Sequence, residues 1–228
     1  MARLISVNLA VPRAGGSADG GLTGIDKQPV DAPVRVRAPG PKRTGLGSGL
    51  VGDRIFNTRH HGGDDQAVYA YAREDLDGWA AELGRSLPGG AFGENLTTAG
   101  LDVTGALIGE RWRIGDEVVL EVAVPRIPCG TFARWMAEKG WMAAKGWVKR
   151  FTVRARPGAY LRVVVPGEIR AGDPVTVVSR PDHDVTIGVT FRALTREPEL
   201  LPRLLAADAL PEDVRALASR RTAPYPGD

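Results

Sequence analysis

Cysteine is almost absent from this chain: Cys129 is the only one in 228 residues. That excludes an internal disulfide, a cysteine-rich zinc site and a protein-held iron–sulfur cluster. No apolar run approaches the roughly 20 residues needed to span a bilayer. The opening MARLISVNLAVPRAGG lacks a long apolar core with a cleavage site, so it reads as a first strand rather than an export signal. Excess charge of one sign is also missing. A net +3 with dispersed basic residues does not argue for nucleic acid. The tryptophans Trp79, Trp112, Trp135, Trp141 and Trp147 stand mostly at core-like positions, leaving no stacking platform for single strands. No internal repeat stands out. These absences lead to the expectation of a soluble cytoplasmic protein with neither membrane nor nucleic-acid partners, in a compartment that keeps a thiol reduced.

What is present is enough to build a core. The chain is 43% hydrophobic and 25% charged, as globular proteins are. Short β-rich runs recur between glycines and prolines: LISVNLAV, VRVRA, AVYAYA, EVVLEVAV, YLRVVV and DPVTVVS. RWRIGDEVVLEVAV reads as a hairpin turning at Ile114-Gly115-Asp116. Strands without regular βαβ alternation predict a mainly β, α+β fold, a barrel or a sandwich. Two helices interrupt it. REDLDGWAAELG repeats apolar residues at helical spacing and ends on Gly84, and TFARWMAEKG ends at Gly140, with Gly130 or Thr131 as N-cap. After about residue 182 the character changes. TIGVTFRAL, PELLPRLLAADA and PEDVRALASRR predict three short helices, the last with Pro211 in its first turn and the middle one disturbed by Pro202. The expected division is a β-barrel domain over 1–182 and a helical extension over 183–228, its last residues frayed.

Several motifs invite chemistry. GSGLVG, residues 47–52, matches the dinucleotide fingerprint, but neither a strand before it nor a helix after it supports that use. HHGG offers two imidazoles beside backbone that another group can approach closely. On a strand His60 and His61 point to opposite faces, so one of them, His61, is expected to face a site. GENLTT supplies Glu94, Asn95, Thr97 and Thr98, groups that bind a phosphate or a heterocycle edge, or equally satisfy a buried turn. Cys129 in PRIPC sits between stiffening prolines and a helix start. Unpaired backbone N–H groups, the helix dipole and Arg126 all favour an anion there, which suits a reactive or metal-binding thiolate better than a structural cysteine.

Taken in order, TGIDKQPV, GLVGDRI, HHGGDDQAVYAY, FGENLTT, ALIGERWRIGD, PRIPC, GWVKRF, PGAYLRV and AGDPV closely resemble the MOSC family, domains similar to the C-terminus of molybdenum-cofactor sulfurase. The resemblance runs from about residue 3 to residue 182, and the tail resembles the three-helix extension of the YiiM-like bacterial subgroup. It implies a β-barrel of the pyruvate-kinase barrel type with peripheral helices. It also implies a molybdenum cofactor (Mo-molybdopterin) with Cys129 as metal ligand. Lys27, Arg126 and Arg59 are implied holders of the cofactor phosphate. His61 and Asn95 are implied to line the pocket, with Thr97 beside them. The implied activity is two-electron reduction of small N-hydroxylated compounds such as 6-hydroxylaminopurine, N–OH becoming N–H, with electrons from a separate reductase. Two other readings stay open: sulfur transfer through a Cys129 persulfide, and a non-catalytic module that binds an anion or a partner. TRHHGG departs from the family pattern, because the residue before the usual His-Gly-Gly is itself histidine. Which imidazole faces inward is therefore open.

Overall fold

The computed structural model describes residues 1–14 and 21–222, without the side chains of residues 221 and 222; the closing residues 223–228, expected to fray, lie outside it. Period-two alternation sets the strands. In β6 (Arg111–Ile114) the arginines face solvent while Trp112 and Ile114 are buried, and β7 (Val118–Pro125) lies antiparallel to it. Ile114 pairs with Val118 across a turn whose Gly115 has φ 62°, as the hairpin reading required.

The remaining strands are β1 (Arg3–Ala10), β2 (Lys27–Val30), β3 (Val34–Val36), β4 (Val68–Ala72), β5 (Leu96–Ala99), β8 (Ala159–Val165), β9 (Gly167–Ile169) and β10 (Val175–Ser179). One eight-stranded sheet runs β10-β6-β7-β8-β4-β5-β1-β2, and β3 pairs with β9 in a separate ribbon. Only β4 and β5 pair in parallel within that sheet. The sheet then closes on itself. Leu4 N donates to the Asp173 carbonyl at 2.8 Å and Val175 N to that of Ala2 at 3.0 Å, joining β1 to the segment entering β10. That junction pairs backbone groups that would otherwise stand open beside β1.

Two apolar clusters fill the molecule. An aliphatic one, including Leu4, Val36, Ile108, Leu120 and Leu161, occupies the closed sheet. An aromatic one, including Trp79, Phe92, Phe132, Trp147 and Phe151, packs helices α1 (Arg73–Leu83), α2 (Gly130–Glu138) and α3 (Trp147–Arg154) against it. The tail contributes α4 (Ile187–Thr195), a 3-10 stretch (Pro198–Ala206) and α5 (Glu212–Thr222). Ile187, Leu201, Leu204 and Leu210 lie in the same cluster as the strands, so tail and sheet share a core. Three local expectations are corrected. Pro202 brings no N–H to the helix ladder, and the middle segment is 3-10 rather than α. Pro211 stands just before α5, which opens at Glu212. The N-cap of α2 is Cys129 itself, in extended conformation.

Candidate active site

A half-open cavity of about 500 Å3 lies where the end of β7 runs into α2, facing the start of β2 and the loop after Asp53. Lys27, His60, His61, Asn95, Arg126 and Cys129 all line it. So do Arg54 and Arg134, which sequence reasoning did not select. Arg59 does not line it; it is exposed on a turn of the same loop. Thr97 does not either. It is fully buried, accepting from Asn8 Nδ2 at 3.1 Å and donating to Glu94 at 3.0 Å.

Cys129 is half-buried at the N-terminus of α2, and its side chain makes no capping bond. The first intrahelical bond there, from Ala133 N to the Cys129 carbonyl, measures 3.1 Å. Arg126, three residues earlier, is only 7% exposed. Its guanidinium centre lies 3.7 Å from the Phe132 ring centroid and 5.5 Å from that of Tyr69. No carboxylate pairs with it among the described residues, and its buried Nη1 has no hydrogen-bond partner. The guanidinium also donates a hydrogen bond to the Tyr69 hydroxyl, but no anion among the described residues neutralises it. A buried cation without a counter-charge is an incomplete arrangement, and an anion in the cavity completes it.

Lys27 is spoken for. Its Nζ donates to Asp53 Oδ1 at 2.5 Å, with both side chains almost entirely buried. Asp53 also accepts from Ala10 N at 2.8 Å, Ser48 Oγ at 2.7 Å and Asn95 Nδ2 at 3.0 Å. Burial pushes the Asp53 carboxyl up, but the Lys27 charge and these hydrogen bonds outweigh it and hold the group below the usual carboxylate range. Burial lowers Lys27 in turn, against the pull of Asp53. Asn95 is equally committed, accepting from Tyr69 N at 3.1 Å through Oδ1. Glu94 accepts from Gly90 N at 2.6 Å, Phe92 N at 2.9 Å and Thr97, and burial raises its carboxyl. In GENLTT, then, Glu94 and Thr97 lock the loop while Gly93 and the Asn95 side chain border the cavity. Asp53 was the residue missed. A carboxylate in a loop carries no periodic signal, and three of its four partners, Ala10, Lys27 and Asn95, come from distant parts of the chain.

Both histidines line the cavity, which corrects the expectation that only one would. Residues 58–60 form a turn, so strand alternation does not apply. Burial, then the charges of Arg126, His60 and Lys42, lower His61 to about 4, leaving a neutral imidazole with one donor and one acceptor. The glycines after it serve the chain's own packing. At Gly62 (φ 82°) a Cβ would fall 2.7 Å from the Gly47 carbonyl oxygen, and at Gly63 (φ 79°) 2.6 Å from Lys42 Cα. The glycine-rich 47–52 segment is likewise a close crossing, with Gly49 N donating to Ala67 O at 2.7 Å, and not a nucleotide loop.

Among the described residues no three histidine, cysteine or acidic side chains converge as a metal cage. The cavity offers one soft donor and several cations, a set that suits a metal arriving with its own anionic organic ligand. A closed β-structure with a basic cleft and a lone thiol at a helix N-terminus defines the class of protein. The MOSC domain family model matches residues 57–176, and the chain belongs to that family. It is 31% identical over 189 residues to the protein YiiM of Escherichia coli, covering 76% of this chain and 77% of that one. It is 33% identical over 180 residues to a Gibberella moniliformis protein named reductase; that match covers 74% of this chain but 29% of the fungal protein. The crystal structure of YiiM from Geobacillus stearothermophilus superposes with a TM-score of 0.75 at 26% identity, over 98% of this chain and all of that one.

Proposed function

We propose that this chain is a molybdenum-cofactor-dependent reductase of N-hydroxylated compounds, converting N–OH to N–H with the oxygen released as water. The observation that carries the reading is the buried guanidinium of Arg126, whose Nη1 has no partner among the described residues, lining the same cavity as the chain's only thiol. A cofactor with a phosphate and a thiophilic metal satisfies both at once. Cys129 would hold the metal, and Arg126 would hold the phosphate, with Arg54 and Arg134 adding to the basic field. When bound, that group supplies the two-electron redox chemistry. The protein's own part is to bind, orient and protonate. The neutral His61 offers a donor and an acceptor to the N–OH end of a substrate. Asn95 and Asp53 fix the cavity wall from behind, and the aromatic faces of Phe132 and Tyr69 keep the guanidinium dry. Family membership and the reductase name of the fungal relative support an oxidoreductase. The reading places the protein in the cytoplasm, with a separate reductase delivering electrons.

The test pairs metal analysis with turnover, using protein made in a host that assembles the cofactor. Stoichiometric molybdenum and reduction of 6-hydroxylaminopurine by an artificial electron donor are expected for the wild type, and loss of reduction for Cys129→Ser. Equal rates in the two proteins remove the thiol's role. Absence of molybdenum together with labile sulfur on Cys129 replaces the reading with persulfide transfer.

A further inference from the structure

A second cavity, of about 230 Å3, adjoins the first. His60, His61, Ile127 and Tyr160 line both, and so form the partition between them. The chemistry on the far side is different. No arginine lines the second cavity; Lys42 and Asp213 put one charge of each sign on its lining, and apolar surface from Leu194, Pro211 and Val214 of the tail forms one wall. The opposite wall carries Asp65 and Gln66. Asp65 is already committed, accepting from Arg162 Nε at 2.6 Å. Arg162 also donates to the Ala209 carbonyl at 2.8 Å, which ties the sheet side of the cavity to the tail side.

Gln66 is the group left over. Its Oε1 is buried and accepts no hydrogen bond, although buried carbonyl oxygens are nearly always paired. With Lys42 and Asp213 opposite in sign, the lining presents little net charge to match, and the need that Gln66 leaves is a hydrogen-bond donor on a largely apolar, neutral body. Its volume lies below the roughly 300–1,000 Å3 of pockets for drug-sized ligands, which suits a bare one- or two-ring heterocycle better than a nucleotide. We infer that the second cavity is the subsite for the ring of a heteroaromatic substrate. Gln66 accepts from a ring N–H or amino group, the tail supplies the apolar face, and the N–OH end passes the His60–His61 partition into the first cavity. The tail helices thereby become determinants of substrate choice. This assignment rests on the reductase reading for the identity of the reacting end, but not for the binding of the ring.

Adenine, which carries ring and amino donors but no reducible N–OH, is the probe. Its affinity is measured by equilibrium titration of the wild type, Gln66→Leu and Val214→Phe, the last filling the cavity from the opposite wall. Each variant is expected to bind adenine about tenfold more weakly, the effect of one lost hydrogen bond or of a blocked wall. Both variants are also expected to raise KM for 6-hydroxylaminopurine by a similar factor while leaving reduction of the ringless N-hydroxyurea unchanged. Equal adenine affinity in all three proteins, or no saturable binding to the wild type, overturns the subsite. Saturable binding that both variants weaken, in a protein that reduces nothing, supports the subsite and overturns the reductase reading alone.

Discussion

Replacing Arg126 with methionine is expected to leave the ligand-free protein as stable as before or to stabilise it, and that outcome separates a binding residue from a structural one. The guanidinium lies over two aromatic rings, at 3.7 and 5.5 Å. Losing that attraction costs about 0.5–2 kcal/mol. Against this, removing a buried donor with no partner relieves about 1–3 kcal/mol, and a methionine sulfur recovers about 0.3–1.5 kcal/mol against the same rings. The balance centres on about 1.7 kcal/mol in favour of the variant, within a span from about 0.7 kcal/mol against it to about 4 kcal/mol in its favour. For a chain of this size each kcal/mol moves Tm by about 2–4 °C, so thermal melts of the two ligand-free proteins resolve the question. Pyrophosphate provides the complementary arm. An anion at one hundred times its Kd adds about 2.7 kcal/mol to the wild type and nothing to a variant lacking the site. A fall in Tm of about 4–8 °C on substitution, with the pyrophosphate response intact, would show that Arg126 holds the fold together and would falsify the anion-site argument.

Other perturbations follow from the same geometry. Asp53→Asn leaves the Lys27 ammonium buried without its anion, and urea unfolding is expected to show a loss of about 3–5 kcal/mol; a loss under about 1 kcal/mol counts against the pair. Because the folded Asp53 carboxyl lies below its unfolded value, its contribution is present above about pH 4 and disappears as pH falls through the lower folded value. His61 acts in a different window. With a folded value of about 4 against 6.5 unfolded, the unfolded chain takes up a proton first, so stability is full above about pH 6.5 and declines toward pH 4. His61→Gln is expected to flatten that decline, and an imidazole titrating near 6.5 by NMR in the folded protein contradicts it. Gly63→Ala forces a Cβ to 2.6 Å from Lys42 Cα at a φ of 79°, and melts are expected to register a loss of more than about 1 kcal/mol; an unchanged Tm means the 39–46 turn is free to move.

The strands were legible where apolar residues alternate, as in β6 and β7, because one buried face imposes that pattern. β5 was not, because Thr97 and Thr98 are buried polar residues and a polar run reads as loop. Helix α3 was not legible either, although Trp147 and Phe151 stand four apart and are both fully buried. Within the site, Cys129 and Arg126 could be found from local sequence, since a lone thiol before a helix is a local pattern. The choice between Arg54 and Arg59 could not. Both lie on one loop, and only its turn decides that Arg54 lines the cavity while Arg59 stays exposed.

Hydrogen-bond completeness, taken together with a place on a cavity wall, distinguishes structural from functional polar groups better than burial does. Lys27, Asp53, Asn95, Glu94 and Thr97 are buried and mutually satisfied, so the fold alone accounts for their positions even where they border the cavity. Eight buried side-chain atoms lack a partner among the described residues, and of the residues that carry them only Arg126 and Gln66 line these two cavities. One is a cation beside a thiol, the other a neutral acceptor against an apolar wall, and the His60–His61 partition separates them. A single anion cannot meet both needs, because an anion repels the acceptor. The two defects therefore call for two chemically different groups, an anionic one against Arg126 and a neutral donor against Gln66. A bound cofactor facing a separate heteroaromatic substrate supplies that combination; a persulfide carrier or a simple anion-binding module leaves Gln66 unexplained.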